Sequence, residues 1–501
     1  MKASSAKQYE MTLQQLLSVL DIEVNEQIII TDLVIDSRKV TSGALFLAYA
    51  GTVADGRDFI EQTQTSGATA VLYESTNYEL PRAIKIPAYA VDDLQAKIGV
   101  LADHFYQQPS SEMQVFGITG TNGKTTCCYL LAQGLSKLGL QTAMIGTLGV
   151  GKIDALANSG HTTPDPVAVH SLLAQWRDQG ITQVCMEVSS HALDQGRVAG
   201  VKFFSALFTN LSHDHLDYHG DMQQYQLAKQ RLFTDYQSEL VITNADDAMG
   251  VMLIDIANSE FIASYGIQGG DVCCEGVTMT KKGMTFLVVA NQIEFEIETS
   301  LIGEINIPNL LLVVATLLAL SVDVEKIKEI IKALQPAPGR MELFTSDGSA
   351  TQLHAPNVVI DYAHTPDALE KALLSIRKHC QGQLWCVFGC GGDRDKAKRS
   401  VMGEVAARLA DKIIVTNDNP RSELPESIVA DINSGISTND VSKVQVILDR
   451  GEAVYQSIKQ GASSDWVLVA GKGHEITQHI GDEVLDFSDR EQVERCLGVA
   501  A

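Results

Sequence analysis

One ten-residue stretch constrains the fold more than any other: Gly117-Ile-Thr-Gly-Thr-Asn-Gly-Lys-Thr-Thr126. The apolar pair Val115-Phe116 precedes it, and a helix-like segment from Cys127 to Leu138 follows. A strand running into a glycine-rich turn and then a helix opens a parallel strand–helix–strand unit. Such a turn aims successive backbone N–H groups at one point. The helix N-terminus adds partial positive charge, and a lysine reaches outward, so the segment predicts a phosphate cradle. The spacing is unusual. The common loop would place its first glycine at Ile118, whereas the nearest glycines here are Gly117 and Gly120. That displacement points away from the common GTPases and motors.

The 501 residues suffice for two to four domains, and 45 % hydrophobic with 20 % charged residues suits globular ones. Three blocks are expected. Residues 1–108 read as a small α/β domain with strands at 28–35 and 70–73 and a linker at 107–111. Residues 109–337 begin with the phosphate loop and continue with strands at 141–145, 183–188 and 206–209, which implies a mainly parallel sheet with helices on both faces. Residues 338–501 alternate again, with strands at 358–360, 384–388, 412–416 and 466–469. That is a second doubly wound sheet, with ligands expected beyond the carboxyl ends of its strands. The fold class is therefore α/β.

Composition excludes several functions. The apolar run 310–322, broken only by Thr316 and Ser321, is too short to span a bilayer and reads as a buried helix. Residues 1–7 carry no apolar core, so no signal peptide is expected. Nine cysteines without paired CxxC spacing read as thiols in a reducing cytoplasm. A net charge of −24 repels polyanions, which argues against nucleic acid as a partner. Small nucleotides remain possible ligands, because salt confines the general field to roughly 8 Å.

Several residues carry chemistry. Glu187 ends an apolar run downstream of the phosphate loop, where a carboxylate binds magnesium; the alternative is an N-cap cluster built on Ser189 and Ser190. His213, His215 and His219, with Asp214 and Asp217, suggest an active-site loop, although they lack a zinc-protease pattern. Lys229 falls on the apolar stripe formed by Met222, Tyr225, Leu232 and Tyr236. Either it snorkels into water or it faces a site. In the third block, polar loops at 361–367, 389–399, 416–421 and 470–475 follow buried strands and should converge on one crevice. There Arg394 and Arg421 offer forked donors for a carboxylate.

Taken in order, these motifs resemble the Mur ligases of peptidoglycan synthesis over nearly the whole chain. The resemblance rests on Asp36-Ser37-Arg38, the 117–126 loop, His161-Thr-Thr-Pro164, Glu187 to His191, Asn210 to Gly220, Lys229, Gly303 with Asn306 and Asn309, and Gly339-Arg340. It continues through Asp361-Tyr-Ala-His364, Gly389 to Arg399, Asp418 to Arg421 and Gly471 to Glu475. It implies three domains: an N-terminal one for a UDP-linked substrate (1–108), a central ATPase (109–337) and a C-terminal Rossmann-like domain for an amino acid (338–501). The implied reaction is ATP-dependent addition of meso-2,6-diaminopimelate to UDP-MurNAc-L-Ala-D-Glu through an acyl phosphate. A cytoplasmic monomer is expected, with Mg²⁺ required and no membrane insertion.

The same resemblance implies residue roles. Gly120, Thr121, Asn122, Gly123, Lys124, Thr125 and Thr126 would bind ATP, joined by Asn306 and Arg340. Thr125, Glu187, His215 and Lys229 would serve magnesium, Lys229 as an N-carboxylated carbamate; Lys124, Glu187, His215 and Lys229 form the expected catalytic set. Ile35, Ser37, Thr52, Val53 and Ala54 would contact the UDP-linked substrate, as would Thr162, Thr163, Ser189, Gln195 and Arg197. Arg394, Asp418, Asn419, Pro420, Arg421, Gly471 and Glu475 would bind diaminopimelate, with Arg421 gripping its distal carboxylate. Ile305 stands where relatives usually carry phenylalanine, Ile307-Pro308 is also atypical, and His161 replaces an asparagine of several relatives.

Overall fold

A computed structural model describes residues 7–24, 26–51, 54–291, 293–346 and 355–498. The chain packs as two compact units, one ending at Ser264 and the other beginning at Tyr265.

The first unit contains two mainly parallel sheets. The smaller runs Asp32–Val34, Ala44–Ala48, Ala70–Glu74, Ala88–Val91, each strand parallel to the next. The expected 28–35 strand is split, with Ile29–Ile30 pairing instead with Met11–Thr12. In the larger sheet Gln114–Thr119 lies between Gln183–Glu187 and Ser205–Phe208, all parallel. Thr142–Gly146 extends one side and Ser238–Asn244 the other. Every residue of Thr142–Gly146, Gln183–Glu187 and Ser205–Phe208 is buried. Burial of both faces is why these strands read as unbroken apolar runs rather than alternating ones. Three strand ends, at Thr119, Glu187 and Phe208, thus deliver the phosphate loop, an acid and the following polar loop to one edge of the sheet. The expected 107–111 linker is ordered: Gln107 and Gln108 take positive φ and lead into a 3₁₀ turn, Pro109–Glu112.

The second unit departs from expectation first. Where the parallel pattern was expected to continue, Val272–Thr280, Gly283–Ala290 and Ile293–Thr299 form an antiparallel meander. Its last strand alternates, with Phe295 and Ile297 inward and Glu294, Glu296 and Glu298 outward. Helix Asn306–Ala319 follows, with Leu310 through Val314 fully buried. Each such side chain contributes about 1.5–3 kcal/mol of burial. Pro308 is harmless there, because the first turn of a helix has no partner for its N–H groups. Among the described residues no helix is long and apolar enough to cross a membrane. The C-terminal sheet runs Glu342–Phe344, Asn357–Asp361, Trp466–Ala470, Leu384–Phe388, Lys412–Val415, Val444–Val446, parallel except at its first pair. A hairpin, Thr477–Ile480 with Glu483–Asp486, follows the Trp466–Ala470 strand and its loop.

Candidate active site

At the carboxyl edge of the first unit's larger sheet the loop is held tightly. Gly120 has φ +146°, and a Cβ there would lie 1.9 Å from Thr209 Oγ1, so only glycine fits. Thr209 Oγ1 donates to the Asn122 carbonyl at 2.6 Å, and the Thr121 and Asn122 amides donate to Asn210 O and Oδ1. Two of the N–H groups expected to face a phosphate are thus bonded to Asn210, a residue within a recognised motif to which no role was assigned. Gly123, in the left-handed region, starts helix Lys124–Lys137. The Lys124 ammonium curls back onto the carbonyls of Gly120 and Thr121, both at 2.9 Å. Thr126 is buried behind it.

Glu187 is fully buried. Thr125 Oγ1 donates to its Oε2 at 2.8 Å, Thr147 Oγ1 to the same oxygen at 3.2 Å, and Thr147 N to its Oε1 at 2.7 Å. Thr147 went unassigned in the sequence, although a polar residue just past a buried strand was the signal. The N-cap alternative holds for Ser189, whose Oγ accepts from Ala192 N, but not for the Glu187 side chain. Thr162 Oγ1 lies 3.0 Å from Thr147 Oγ1. Thr163 Oγ1 donates to the Glu187 carbonyl and accepts from Ser189 N. Arg197 donates to Thr163 O and grips Gln195 Oε1 through two nitrogens. Five of the residues expected at the UDP-linked substrate are therefore one connected set beside Glu187. Ile35 and Ser37 follow the strand Asp32–Val34, where Asp36 caps a short 3₁₀ turn and pairs with Arg38. Ala54 closes a turn with Gly51, and Thr52 and Val53 lie outside the described residues.

Lys229 does not snorkel. It is 1 % exposed, its Nζ donates to Gly120 O at 2.7 Å, and it sits 4.5 Å from the Tyr225 ring centre. Burial, reinforced by the nearby Lys124 charge, drives its pKa well below the usual lysine value. The His215 ring lies 6.1 Å from the Tyr225 ring and 4.9 Å from that of His191, with its backbone at φ +53°. Burial lowers the pKa of His215, and holds His191 down at about 4 with help from His215 and His219. A polar cleft of about 610 Å³ opens alongside, lined by Asp194, Tyr218, His219 and Arg231 among others.

Among the described residues no three His, Cys, Asp or Glu side chains form a ready-made metal cage. Thr125 and Glu187, by contrast, offer hard oxygen donors in direct contact, which suits Mg²⁺. That ion takes one or two protein oxygens and completes its shell with phosphate and water.

In the second unit four loops meet beyond the strand ends. Asn419 Nδ2 donates to Glu475 Oε2 at 2.9 Å. Arg421 takes φ +52°, its N–H donates to His479 O, and its carbonyl accepts from Gly481 N, so the Thr477–Asp486 hairpin fixes it. Its guanidinium donates to Gly392 O at 2.7 Å. Arg421 and Arg394 flank Gly391, where an added Cβ would lie 3.0 Å from Arg421 Nη1 and 3.7 Å from Arg394 Cγ. Gly471 lies against Asp418, which is buried, as are Asn419 and Pro420. Burial raises the Asp418 pKa, although Arg450 and Lys472 oppose it. Arg340 stacks 4.4 Å over Tyr362 beside this loop cluster. The Asn306 amide is turned inward, donating to Ile302 O and accepting from Asn309. Sequence reasoning left three ion-pair anchors unassigned: Lys472, Arg399 with Glu423, and Arg450 with Asp489.

Comparison with known proteins bears on the family and the fold. The Mur ligase family catalytic domain matches residues 29–106, the Mur ligase middle domain 118–317, and the Mur ligase glutamate ligase domain 339–473. A UDP-N-acetylmuramoyl-L-alanyl-D-glutamate–2,6-diaminopimelate ligase of Coxiella burnetii is 43 % identical over 97 % of this chain and 99 % of its own length. The enzyme of that name from Xanthomonas oryzae is 44 % identical over 96 % of each. A solved structure bearing the same enzyme name superposes with a TM-score of 0.72 at 33 % identity, covering 97 % of this chain and 99 % of that one. With a phosphate loop whose threonine bonds a buried acid, and full-length relatives on this scale, the chain belongs to the Mur ligase family.

Proposed function

We propose that this chain is the cytoplasmic, monomeric, ATP-dependent ligase that joins meso-2,6-diaminopimelate to UDP-MurNAc-L-Ala-D-Glu. The observation that carries the choice of amine is Arg421 and Arg394 flanking Gly391 at one strand-end crevice, beside the Asn419–Glu475 pair. Diaminopimelate bears an amino-acid centre at each end. One amine reacts, and the other end remains a zwitterion that needs a cation for its carboxylate and an anion for its ammonium. Arg421 and Glu475 supply these. Lysine lacks the distal carboxylate and would leave Arg421 without its partner, a loss that discriminates strongly.

In the first step the D-glutamate carboxylate attacks the γ-phosphorus of ATP, ADP leaves, and an acyl phosphate forms. The diaminopimelate amine then attacks the acyl carbon, and inorganic phosphate and a proton leave as the amide forms. The exchange turns a poor leaving group, oxide, into phosphate. Lys124 spreads charge that builds on the transferring phosphoryl group. Magnesium, when bound, would add positive charge there, held by Thr125 and Glu187, with His215 and Lys229 serving a second ion. The buried, deprotonation-prone Lys229 amine is suited to take up CO₂ as a carbamate, releasing a proton. Thr162, Thr163, Ser189, Gln195 and Arg197 would orient the UDP-linked substrate beside Glu187, with Ile35, Ser37 and the 52–54 segment at its far end.

The test uses purified full-length protein with MgATP, UDP-MurNAc-L-Ala-D-Glu and either meso-diaminopimelate or lysine, and measures tripeptide product and phosphate release. Product is expected with diaminopimelate only. No product with either amine refutes the ligase reading, and a preference for lysine refutes the role of Arg421. Arg421→Ala should raise the diaminopimelate KM about 100-fold or more, the scale of a lost charge-assisted pair, and leave the ATP KM within a few-fold.

A further inference from the structure

Lys472 is fully buried, its side chain 0 % exposed, yet it pairs with the part-exposed Glu475 of the strand-end loops. Its Nζ donates to Glu475 Oε2 at 2.8 Å, to Asn419 Oδ1 at 3.2 Å and to the Thr477 carbonyl at 2.7 Å. An ammonium has three N–H bonds. All three are therefore used inside the protein, which leaves none for a ligand.

The consequence falls on Asn419. Its Oδ1 accepts from Lys472 and from the His479 N–H at 3.0 Å, so both lone pairs are occupied. That fixes which end of the amide is oxygen and turns Nδ2 toward Glu475 Oε2. Glu475 Oε2 is thereby held by two donors. Among the described residues, the second Asn419 amide hydrogen and Glu475 Oε1 take no partner, and the Glu475 side chain is 32 % exposed. One donor on the buried Asn419 and one anionic acceptor on the part-exposed Glu475 are left side by side. This is the complement of a zwitterionic amino-acid centre, whose ammonium donates and whose carboxylate accepts.

We propose that Lys472 is a positioning residue for diaminopimelate: it sets the amide orientation of Asn419 and anchors Glu475, so that the pair presents one donor and one acceptor to the distal amino-acid centre. This rests on the reading of the crevice given under Proposed function. Without Lys472 the His479 N–H alone holds Asn419 Oδ1; the amide is then freer to flip, which would place its oxygen against the Glu475 carboxylate and repel the substrate carboxylate.

The charges around Glu475 sharpen the expectation. Burial pushes its pKa up, but the Lys472 charge and hydrogen bond, with help from Asn419 and His474, bring it below the usual value. The titratable and charged neighbours are Lys472 and His474 on its own loop, Tyr362 with Arg340 stacked over it, Asp418 on the facing loop, and Arg450 and Asp489 behind Asp418. His474 is held near 4 by burial, so it stays neutral between pH 6 and 9. Without the Lys472 ammonium, Asp418 and Glu475 both titrate upward.

The test is steady-state kinetics of the full-length wild type, K472M and K472R, with each of the three substrates varied in turn from pH 6 to 9. K472M should raise the diaminopimelate KM at least tenfold. That KM should climb further toward pH 6, while the wild-type value stays comparatively flat. The KM values for ATP and the UDP-linked substrate should stay within twofold. K472R keeps the charge but cannot direct three donors from one nitrogen, so it should restore the flat pH profile and only part of the affinity. A diaminopimelate KM within twofold of wild type in K472M overturns the proposal, as does an equal rise in all three KM values. If K472M does not fold, K472R decides: a diaminopimelate KM raised at least threefold at constant ATP KM supports the proposal, and an unchanged one overturns it. A wild type that makes no tripeptide refutes the parent reading instead. Normal wild-type turnover with unperturbed variants refutes only the role of Lys472.

Discussion

Removing Asp489 tests how the second unit holds its binding loops. Arg450 and Asp489 are both 0 % exposed and meet as a fork, Nε to Oδ1 at 2.7 Å and Nη2 to Oδ2 at 2.8 Å. The guanidinium also donates to the Ala470 carbonyl at 2.9 Å and to the Asn417 carbonyl at 3.3 Å, immediately before Gly471 and Asp418. Asp489→Ala leaves a buried cation with two orphaned donors and, as counter-charge, only the Asp418 and Glu475 carboxylates, neither of which bonds it. Breaking such a pair from one side costs about 3–5 kcal/mol, because desolvation of the remaining charge is no longer offset. The scale agrees with Coulomb's law, about 4 kcal/mol for unit charges ~4 Å apart at an effective dielectric near 20. For a unit of this size that is a fall in Tm of about 10 °C. The double variant Arg450→Met/Asp489→Leu removes both charges and should recover most of the loss, since a well-packed apolar pair often equals a buried ion pair. Calorimetry of the full chain measures both. Urea titration read by tryptophan fluorescence checks the assignment, because Trp385 and Trp466 lie on strands of the C-terminal sheet. A single variant that loses less than about 1 kcal/mol, or a double variant no better than the single, would refute the reasoning.

Other outcomes are expected from the first unit. Glu187→Gln removes the negative charge that Thr125 and Thr147 converge on; phosphate release should fall by about 10²–10³ with little change in Tm, on the scale of losing one preorganised electrostatic group. Gly120→Ala drives a methyl group into Thr209 Oγ1 and strains a backbone at φ +146°, so nucleotide binding measured by calorimetry should weaken at least tenfold. Asp103 lies 3.4 Å from His170 Nδ1, and neither Asp103 Oδ1 nor His170 Nδ1 has a hydrogen-bond partner among the described residues. Burial raises the Asp103 pKa to about 6. Its folded pKa therefore exceeds the unfolded value near 3.8, and the stability it contributes is full below that value and lost as pH rises through 6. Asp103→Asn should thus stabilise the protein by about 1–2 kcal/mol at pH 8, an advantage that shrinks between pH 6 and 4 in thermal melts.

The phosphate loop, the parallel strands and the acid at the end of Gln183–Glu187 were legible in the sequence because each rests on local pattern. A continuous apolar run ends at a polar residue, and glycines stand where the backbone must turn sharply. The antiparallel meander was missed, although Phe295 and Ile297 alternate with Glu294, Glu296 and Glu298. A rhythm of alternating strands and helices in the preceding residues hid it. Lys229 shows where pattern ends. Its place on an apolar stripe follows from spacing, but whether its ammonium reaches water depends on what covers it, and Gly120, distant in the chain, bonds it at 2.7 Å. Thr147 beside Glu187, Asn210 clamping the phosphate loop and Lys472 beneath Asn419 are of the same kind. The sequence by itself determined which residue types stand at strand ends, because hydrophobic periodicity and glycine placement act over a few residues. Only the tertiary structure decided which of those groups meet, since hydrogen bonds and desolvation act through space between segments that lie dozens of residues apart.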